Sequence, residues 1–554
     1  MRVTGESASA AAGQASRHEG ATVRDAAFAV LRERGLTTLF SNPGSTEIPL
    51  LAGLPDDLRF VLALHEGSAV GMATGWAIGT GAPALAVLHT TAGLGNAVGA
   101  LATARENRAP LVVLVGQQDR RHLVRTPFLA GRLAGLAGDY PVSAEQPVRA
   151  QDAPGALDRA WHEAVAGRGP ALVVVPMDDW HAPADDRPER AAPATVLRTP
   201  AAGAGDVAAL AGLVAQARSP AIVVGAGADD PVAWEGLVAL AERVGCPVWQ
   251  EAFGARAGFP QDHPRFAGHL PAARRRLRAA LGGHDLVLVV GAAAFRQYAY
   301  EEGPLVEPGT RVAVVTDDPA EAHRSAAEIA VLAAPAAVCT PLAAAVPARD
   351  GSAPPPREPP APPEPPRGDE PLRAGHLLAA LAERLPGDAV LVEEAPSNRP
   401  ELHARIPARR PLSFLSAAMG GLGFAVPGAI GLRMARPDRP VVAVVGDGAS
   451  LYAVQALWSA AHYGAGVLVV ILANGGYAVM DRLAEQHGTG TAPWPAFEEV
   501  SIAGLAKGLG CPATAVETHD DLLKVLDDVV PTLAARAEPL VLEVAVVPET
   551  TFAP

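Results

Sequence analysis

The sequence predicts an α/β protein built from three doubly wound parallel-sheet domains, and three observations carry that prediction. Short, unbroken apolar runs recur along the chain, as in LVVLVG (111–116), LVLVVG (286–291) and VLVVILA (467–473). Such runs suit strands covered on both faces, which is where parallel sheets place them. They alternate with segments long enough for crossover helices, and they fall into three blocks. At 554 residues the chain also exceeds what one hydrophobic core organises.

The first block, residues 21–190, carries TLF (38–40), FVLAL (60–64), ALAVL (84–88), LVVLVG and ALVVVP (171–176). The second, 200–347, carries AIVVG (221–225), LVLVVG and RVAVVT (311–316). The third, 371–554, carries AVLVEE (389–394), PVVAVVGDG (440–448) and VLVVILANGG (467–476). Between the last two blocks, GSAPPPREPPAPPEPPRGDE (351–370) is rich in proline, which joins neither helix nor ladder, so 348–370 reads as an extended linker. Residues 1–20 are small and polar and read as a disordered tail.

Composition narrows the function classes. A formal charge of −14 opposes a nucleic-acid or anionic-membrane partner, because phosphate-binding surfaces need excess Lys and Arg. No run of eighteen apolar residues offers a membrane span, and the amino terminus has no apolar stretch of signal-peptide type. Cys246, Cys339 and Cys511 lie far apart with no metal or redox spacing, so a reducing, cytoplasmic setting is expected.

Ligands of open parallel sheets sit at the carboxyl ends of strands. Gly446-Asp447-Gly448 follows one such strand and precedes a predicted helix over 451–463, so its backbone can approach an anion. The next strand ends at Asn474, followed by Gly475, Gly476 and Tyr477. Two neighbouring strand ends would then offer an aspartate carboxylate, an asparagine amide oxygen and a carbonyl near Gly476 to one octahedral Mg2+, with diphosphate oxygens and water completing it. A capping aspartate and an ordinary turn asparagine are the plainer alternative.

In the first block Ser45, Glu66 and His89 each stand just after a predicted strand. Taken singly, Ser45 could cap a helix, Glu66 could serve a helix N-terminus, and His89 could be structural. Together they lie where a site should form.

GDGASLYAVQALWSAAHYG (446–464), ILANGGYA (471–478) and AAMGGLGFAVPGAIG (417–431) resemble the cofactor-binding stretches of the benzoylformate decarboxylases, which use thiamine diphosphate. SNPGSTEIPLL (41–51), LALHEGSAVGMATGWA (62–77) and LHTTAGLGNAVGAL (88–101) resemble the pyrimidine-binding domain of the same family. The resemblance covers nearly the whole chain after residue 20, including PMDDW (176–180) and GAAAFRQYAY (291–300). It implies a pyrimidine-binding, a central and a diphosphate-binding domain.

The resemblance also implies roles. Glu66 would contact N1′ of the pyrimidine, the Gly420 carbonyl would accept from the aminopyrimidine, and Leu422 would prop the bent cofactor. Pro43, Gly448, Ala449 and Tyr477 would complete the cofactor site, and Asp447, Asn474 and Gly476 would ligate Mg2+. Ser45 would bind the substrate carboxylate, His89 would move protons at the reacting oxygens, and Met480 and Leu483 would line the substrate pocket. A 2-keto acid substrate and a homo-oligomer, a dimer of dimers with the cofactor between two subunits, follow from the same resemblance.

One position departs from the family pattern. Where Phe-Arg-x-His-x-Tyr is expected, the chain reads Phe295-Arg296-Gln297-Tyr298-Ala299-Tyr300. Tyr298 thus replaces a histidine that helps return a proton, and tyrosine is a far weaker acid near neutrality. The expected activity is non-oxidative decarboxylation of an aromatic or bulky apolar 2-keto acid to an aldehyde and CO2. The alternative is a carboligase or lyase of acetolactate-synthase or benzaldehyde-lyase type, making or cleaving 2-hydroxy ketones.

Overall fold

The computed structural model describes residues 20–185, 192–197, 201–349, 358, 360–367, 370–488 and 493–548. The expected tail therefore lies outside the described residues except for Gly20, as does much of the expected linker. Its longest described stretch, 360–367, runs along the third domain, where Arg405 donates to the Pro360 and Ala361 carbonyls and the Glu364 carbonyl meets His376.

Three six-stranded sheets form, every strand pair parallel, as expected of an α/β chain with crossover helices. The first contains β1 (Thr38–Asn42), β2 (Arg59–Leu62), β3 (Ala84–Leu88), β4 (Leu111–Gln117), β5 (Ser143–Glu145) and β6 (Pro170–Pro176), in the order β2-β1-β3-β4-β6-β5. The second contains β7 (Pro220–Val224), β8 (Val248–Gln250), β9 (Phe266–His269), β10 (Leu286–Val290), β11 (Arg311–Thr316) and β12 (Ile329–Leu332), in the order β12-β11-β10-β7-β8-β9. The third contains β13 (Val390–Glu394), β14 (Phe414–Ser416), β15 (Val441–Gly446), β16 (Leu468–Ala473), β17 (Ala513–Val516) and β18 (Leu540–Ala545). Its order, β14-β13-β15-β16-β18-β17, repeats that of the first sheet.

In these sheets the strand order reverses between β1 and β3, between β7 and β10, and between β13 and β15. A crevice opens at such a switch point because the flanking connections leave in opposite directions. Ser45 follows β1, His89 follows β3, and Asp447 follows β15. In the middle sheet the crevice is closed by its own backbone: Gly227 N donates to the Gly291 carbonyl at 2.8 Å, and the Glu251 side chain packs against Gly225.

The first and third domains share one core, in which Phe40, Val70 and Leu88 join Val426, Ile430 and Val445. Its seam is the pair of helices Glu66–Thr80 and Ala425–Ala435, both rich in small residues. A Cβ on Gly75 would lie 2.0 Å from the Gly428 carbonyl oxygen, and one on Gly431 would lie 1.9 Å from that of Met72. Only glycine permits so close a crossing.

One predicted element is corrected. The helix expected over 451–463 begins only at Ala456 and runs to Tyr463, and a separate single turn, Asp447–Ser450, precedes it. The Ser450 hydroxyl donates to the Asp447 carbonyl at 2.7 Å, taking an acceptor that a continuing helix would use and bending the chain there.

Candidate active site

Glu66 opens its helix but is not spent on capping it. The N-cap is His65, whose ring accepts from Gly67 N. The buried Glu66 carboxylate instead accepts from Asn42 Nδ2 and Asn96 Nδ2, both at 3.1 Å. Two amide donors replace water without cancelling the negative charge.

His89 is the N-cap of the helix Thr90–Glu106, and its side chain makes no cap bond. Its Nδ1 lies 3.0 Å from Glu47 Oε2 and 3.0 Å from Thr46 Oγ1. A Cβ on Gly93 would sit 3.1 Å from His89 Cβ and 3.3 Å from Glu66 Cγ, so Gly93 is the gap across which the two side chains face each other. Ser45 is exposed in the turn after β1. It does not cap the next helix, whose N-cap is Glu47, and Pro43 is half-buried in the same turn. The structure thus brings Ser45, Glu66 and His89 to one end of the first sheet.

The third domain contributes a second cluster. Parallel pairing sets Gly446 beside Leu472, so Asp447 and Asn474 leave neighbouring strand ends together. Asp447 Oδ1 accepts from Gly448 N at 2.7 Å; its Oδ2 accepts from Asn474 N at 2.9 Å and Gly475 N at 2.7 Å. Asn474 Oδ1 accepts from Gly476 N. Burial pushes the Asp447 carboxyl up despite these donors. Among the described ion pairs no basic side chain answers it. A buried carboxylate without a cation, beside a second amide oxygen, is a donor set that suits a hard divalent ion. Gly448 has no room for a side chain, since its Cβ would meet the Tyr477 ring at 2.7 Å.

A cavity of about 1040 Å3 runs from this cluster toward the middle domain. Gly420, Leu422, Asp447, Gly448, Ala449, Asn474, Gly476, Tyr477 and Met480 line it, with Phe253 and Tyr298 on the opposite wall. Leu483, on the same helix as Met480, is half-buried and does not line it. Tyr298 is 54% exposed, with its ring 6.2 Å from that of Phe253. Ser45, Glu66 and His89 are not among the wall residues, so this cavity does not join the two clusters.

Two carboxylates were not foreseen from the sequence. Glu394, at the end of β13, accepts from Gly423, Phe424 and Ala425 N and so pins the loop that carries Gly420 and Leu422. Burial pushes its carboxyl up to about 7. The signal was present in AVLVEE, a pair of acids closing an apolar strand. Glu47, 1% exposed, is the other. It stands in the motif containing Ser45, but only the fold reveals its contact with His89.

Comparison with known proteins agrees with this geometry. Three models of the thiamine pyrophosphate enzymes match: the N-terminal TPP binding domain over residues 21–132, the central domain over 207–342 and the C-terminal TPP binding domain over 399–544. The benzoylformate decarboxylase of Pseudomonas aeruginosa is 36% identical over 503 residues, covering 90% of this chain and 95% of that protein. An acetolactate synthase of Mycobacterium bovis is 28% identical over 525 residues, covering 90% of this chain and 84% of that one. The solved 4-hydroxybenzoylformate decarboxylase of Rhodococcus jostii superposes with a TM-score of 0.91 at 35% identity, covering 96% of this chain and 100% of its own. The chain belongs to the thiamine pyrophosphate enzyme family and, within it, resembles the benzoylformate decarboxylases.

Proposed function

We propose that this protein decarboxylates an aromatic 2-keto acid to the aldehyde and CO2, using thiamine diphosphate and Mg2+. The observation that carries the reading is the pairing of an amide-held Glu66 with His89 across Gly93, beside an exposed Ser45. Thiamine diphosphate, when bound, supplies a carbon nucleophile and an electron sink for the carbon that loses CO2. Asp447, Asn474 and the Gly476 carbonyl would hold the metal, and the 446–449 turn would face the diphosphate. Gly420 and Leu422, pinned through Glu394, would seat the pyrimidine.

Glu66 would hold the proton shared with pyrimidine N1′, its amide partners fixing the carboxyl without neutralising it. The Ser45 hydroxyl would donate to the substrate carboxylate. His89 would give and take a proton at the substrate oxygen through Nε2. Met480 and Tyr298 would bound the pocket for the aryl group.

The working unit in this reading is a homo-oligomer of three-domain subunits (21–190, 200–347 and 371–554), a reading supported by the absence of Glu66 from the wall of the cavity holding Asp447. A cytoplasmic setting is supported by three free, buried cysteines, each thiol pushed up to about 12 by burial. Among the described residues no helix is long and apolar enough to cross a membrane.

A second reading, carboligation, is favoured by one observation: Tyr298 presents a weak acid to the cavity where the family pattern has histidine. The test is turnover of aromatic and aliphatic 2-keto acids with thiamine diphosphate and Mg2+, following CO2 and organic products together. Aldehyde equal to CO2 supports the decarboxylase. CO2 accompanied by 2-hydroxy ketone would replace it with the carboligase, and no CO2 from any acid would reject both.

A further inference from the structure

We infer that Glu47 is a positioning residue for the proposed reaction: it fixes the tautomer and orientation of His89. The inference rests on the functional reading above for the role of His89, but its geometry stands alone. Glu47 is almost wholly buried and makes no ion pair with Lys or Arg among the described residues. One carboxylate serves three donors, Gly44 N at 2.7 Å, the Thr46 hydroxyl, and His89 Nδ1 at 3.0 Å.

The network decides where the imidazole proton sits. An ionised carboxylate only accepts. The Thr46 hydroxyl spends its proton on Glu47 Oε1, so toward His89 it offers a lone pair. Both groups facing Nδ1 therefore accept, and Nδ1 carries the hydrogen. Nε2 keeps its lone pair, as the partner of a buried acceptor must. When Nε2 takes a proton from a substrate oxygen, the ring becomes an imidazolium whose Nδ1–H stays on Glu47. When Nε2 returns that proton, the neutral tautomer is restored and no other group changes charge.

Two glycines show that this is a built arrangement. A Cβ on Gly44 would lie 2.4 Å from His89 Nδ1, and one on Gly116, near the end of β4, would lie 1.7 Å from Glu47 Oε1. The first leaves room for the ring and the second for the carboxylate. A carboxylate needed only to cap the four-residue helix that follows would bond its backbone, and Glu47 makes no such cap bond.

The test is a double-mutant cycle of Glu47→Gln and His89→Ala on the full-length holoenzyme, with 15N NMR of histidine-labelled, cofactor-free protein. Glutamine keeps the shape but offers one acceptor oxygen to three donors. Glu47→Gln is expected to lower kcat about 100-fold with KM within about threefold, and to add less than about threefold once His89 is alanine. The His89 resonance, assigned by its loss in His89→Ala, should report Nδ1–H in the parent and a mixed or reversed tautomer in Glu47→Gln. Thr46→Val, which removes one acceptor at Nδ1, should lose about tenfold and likewise nothing further without His89. Losses that multiply in the double variants, or an unchanged tautomer in Glu47→Gln, would overturn the inference. Full activity in His89→Ala would instead reject the functional reading of His89, leaving the NMR result to judge the geometry. If Glu47→Gln fails to fold, the Thr46→Val cycle decides alone.

Discussion

In the first domain the carboxylates at the site are held mainly by side chains: Glu66 by Asn42 and Asn96, and Glu47 by Thr46 and His89. In the third domain they are held by backbone: Asp447 by three N–H groups and Glu394 by three more. The two sheets share one strand order and use the same switch point, so the difference is not one of topology. Backbone donors are fixed by the fold itself and are hard to replace by substitution. Side-chain donors can be altered one at a time, which suits the proton-transfer role proposed for this region. The third domain thus offers a backbone socket and the first a face of side chains.

The largest expected effect tests the side-chain face. Glu66→Gln keeps the shape and one acceptor, but it cannot hold a proton on oxygen. It should lower kcat/KM by about 10²–10⁴-fold, the usual worth of one general acid–base group. The melting temperature should stay close to that of the parent. Parental activity in this variant would refute the proposed reaction.

Next comes the socket. Asp447→Ala strands Gly448, Asn474 and Gly475 N–H, and each buried donor left unpaired costs about 1–3 kcal/mol. The variant should melt lower than the parent and lose the rise in melting temperature that thiamine diphosphate with Mg2+ gives by mass action. A variant that lost activity yet kept that ligand-induced rise would break the comparison, because function and fold would then separate in the third domain too.

What the sequence made legible follows the same division. Strands β1, β3, β4, β6, β7, β10, β11, β13, β15 and β16 announce themselves as unbroken apolar runs because each lies inside its sheet, and edge strand β2 shows one too, as FVLAL. Edge strands β5 (Ser143–Glu145), β9 (Phe266–His269) and β17 (Ala513–Val516) are short, wet on one side, and carry no such run. Interior strand β18 escaped for another reason: Glu543 interrupts it, accepting from Ile502 and Ala503 N. Asp447 and Asn474 could be paired from one strand–helix–strand spacing. Glu394 could not, because its partners lie about thirty residues on, across β14 and a loop. Sequence patterns expose contacts within one supersecondary unit, whereas contacts between loops need the assembled sheet.

A smaller effect sharpens the contrast. Asn96 is exposed on its helix, so Asn96→Ala should change stability by no more than about 0.5 kcal/mol. It nevertheless removes one of two donors from Glu66 and should slow kcat roughly tenfold, the size of one charge-assisted hydrogen bond of about 1.5 kcal/mol. Function lost without stability is the behaviour expected of the first domain. An equal fall in melting temperature would erase the distinction from the third.

The last prediction concerns a carboxyl of the middle domain, held by a single backbone donor at Ala226. Glu251 fills the closed crevice of the middle sheet, and burial pushes it up to about 7, offset in part by Arg296. Because the folded protein binds this proton more tightly than the unfolded chain, its contribution to stability is fullest below the ordinary glutamate range near 4.5 and is lost as pH rises through about 7. At pH 8 the parent must keep a buried charge, at a cost on the order of 3 kcal/mol. Glu251→Gln carries no charge at any pH. Its melting temperature relative to the parent should therefore rise between pH 5 and pH 8. A difference that is flat with pH would mean that Glu251 is ionised throughout, its charge answered by Arg296.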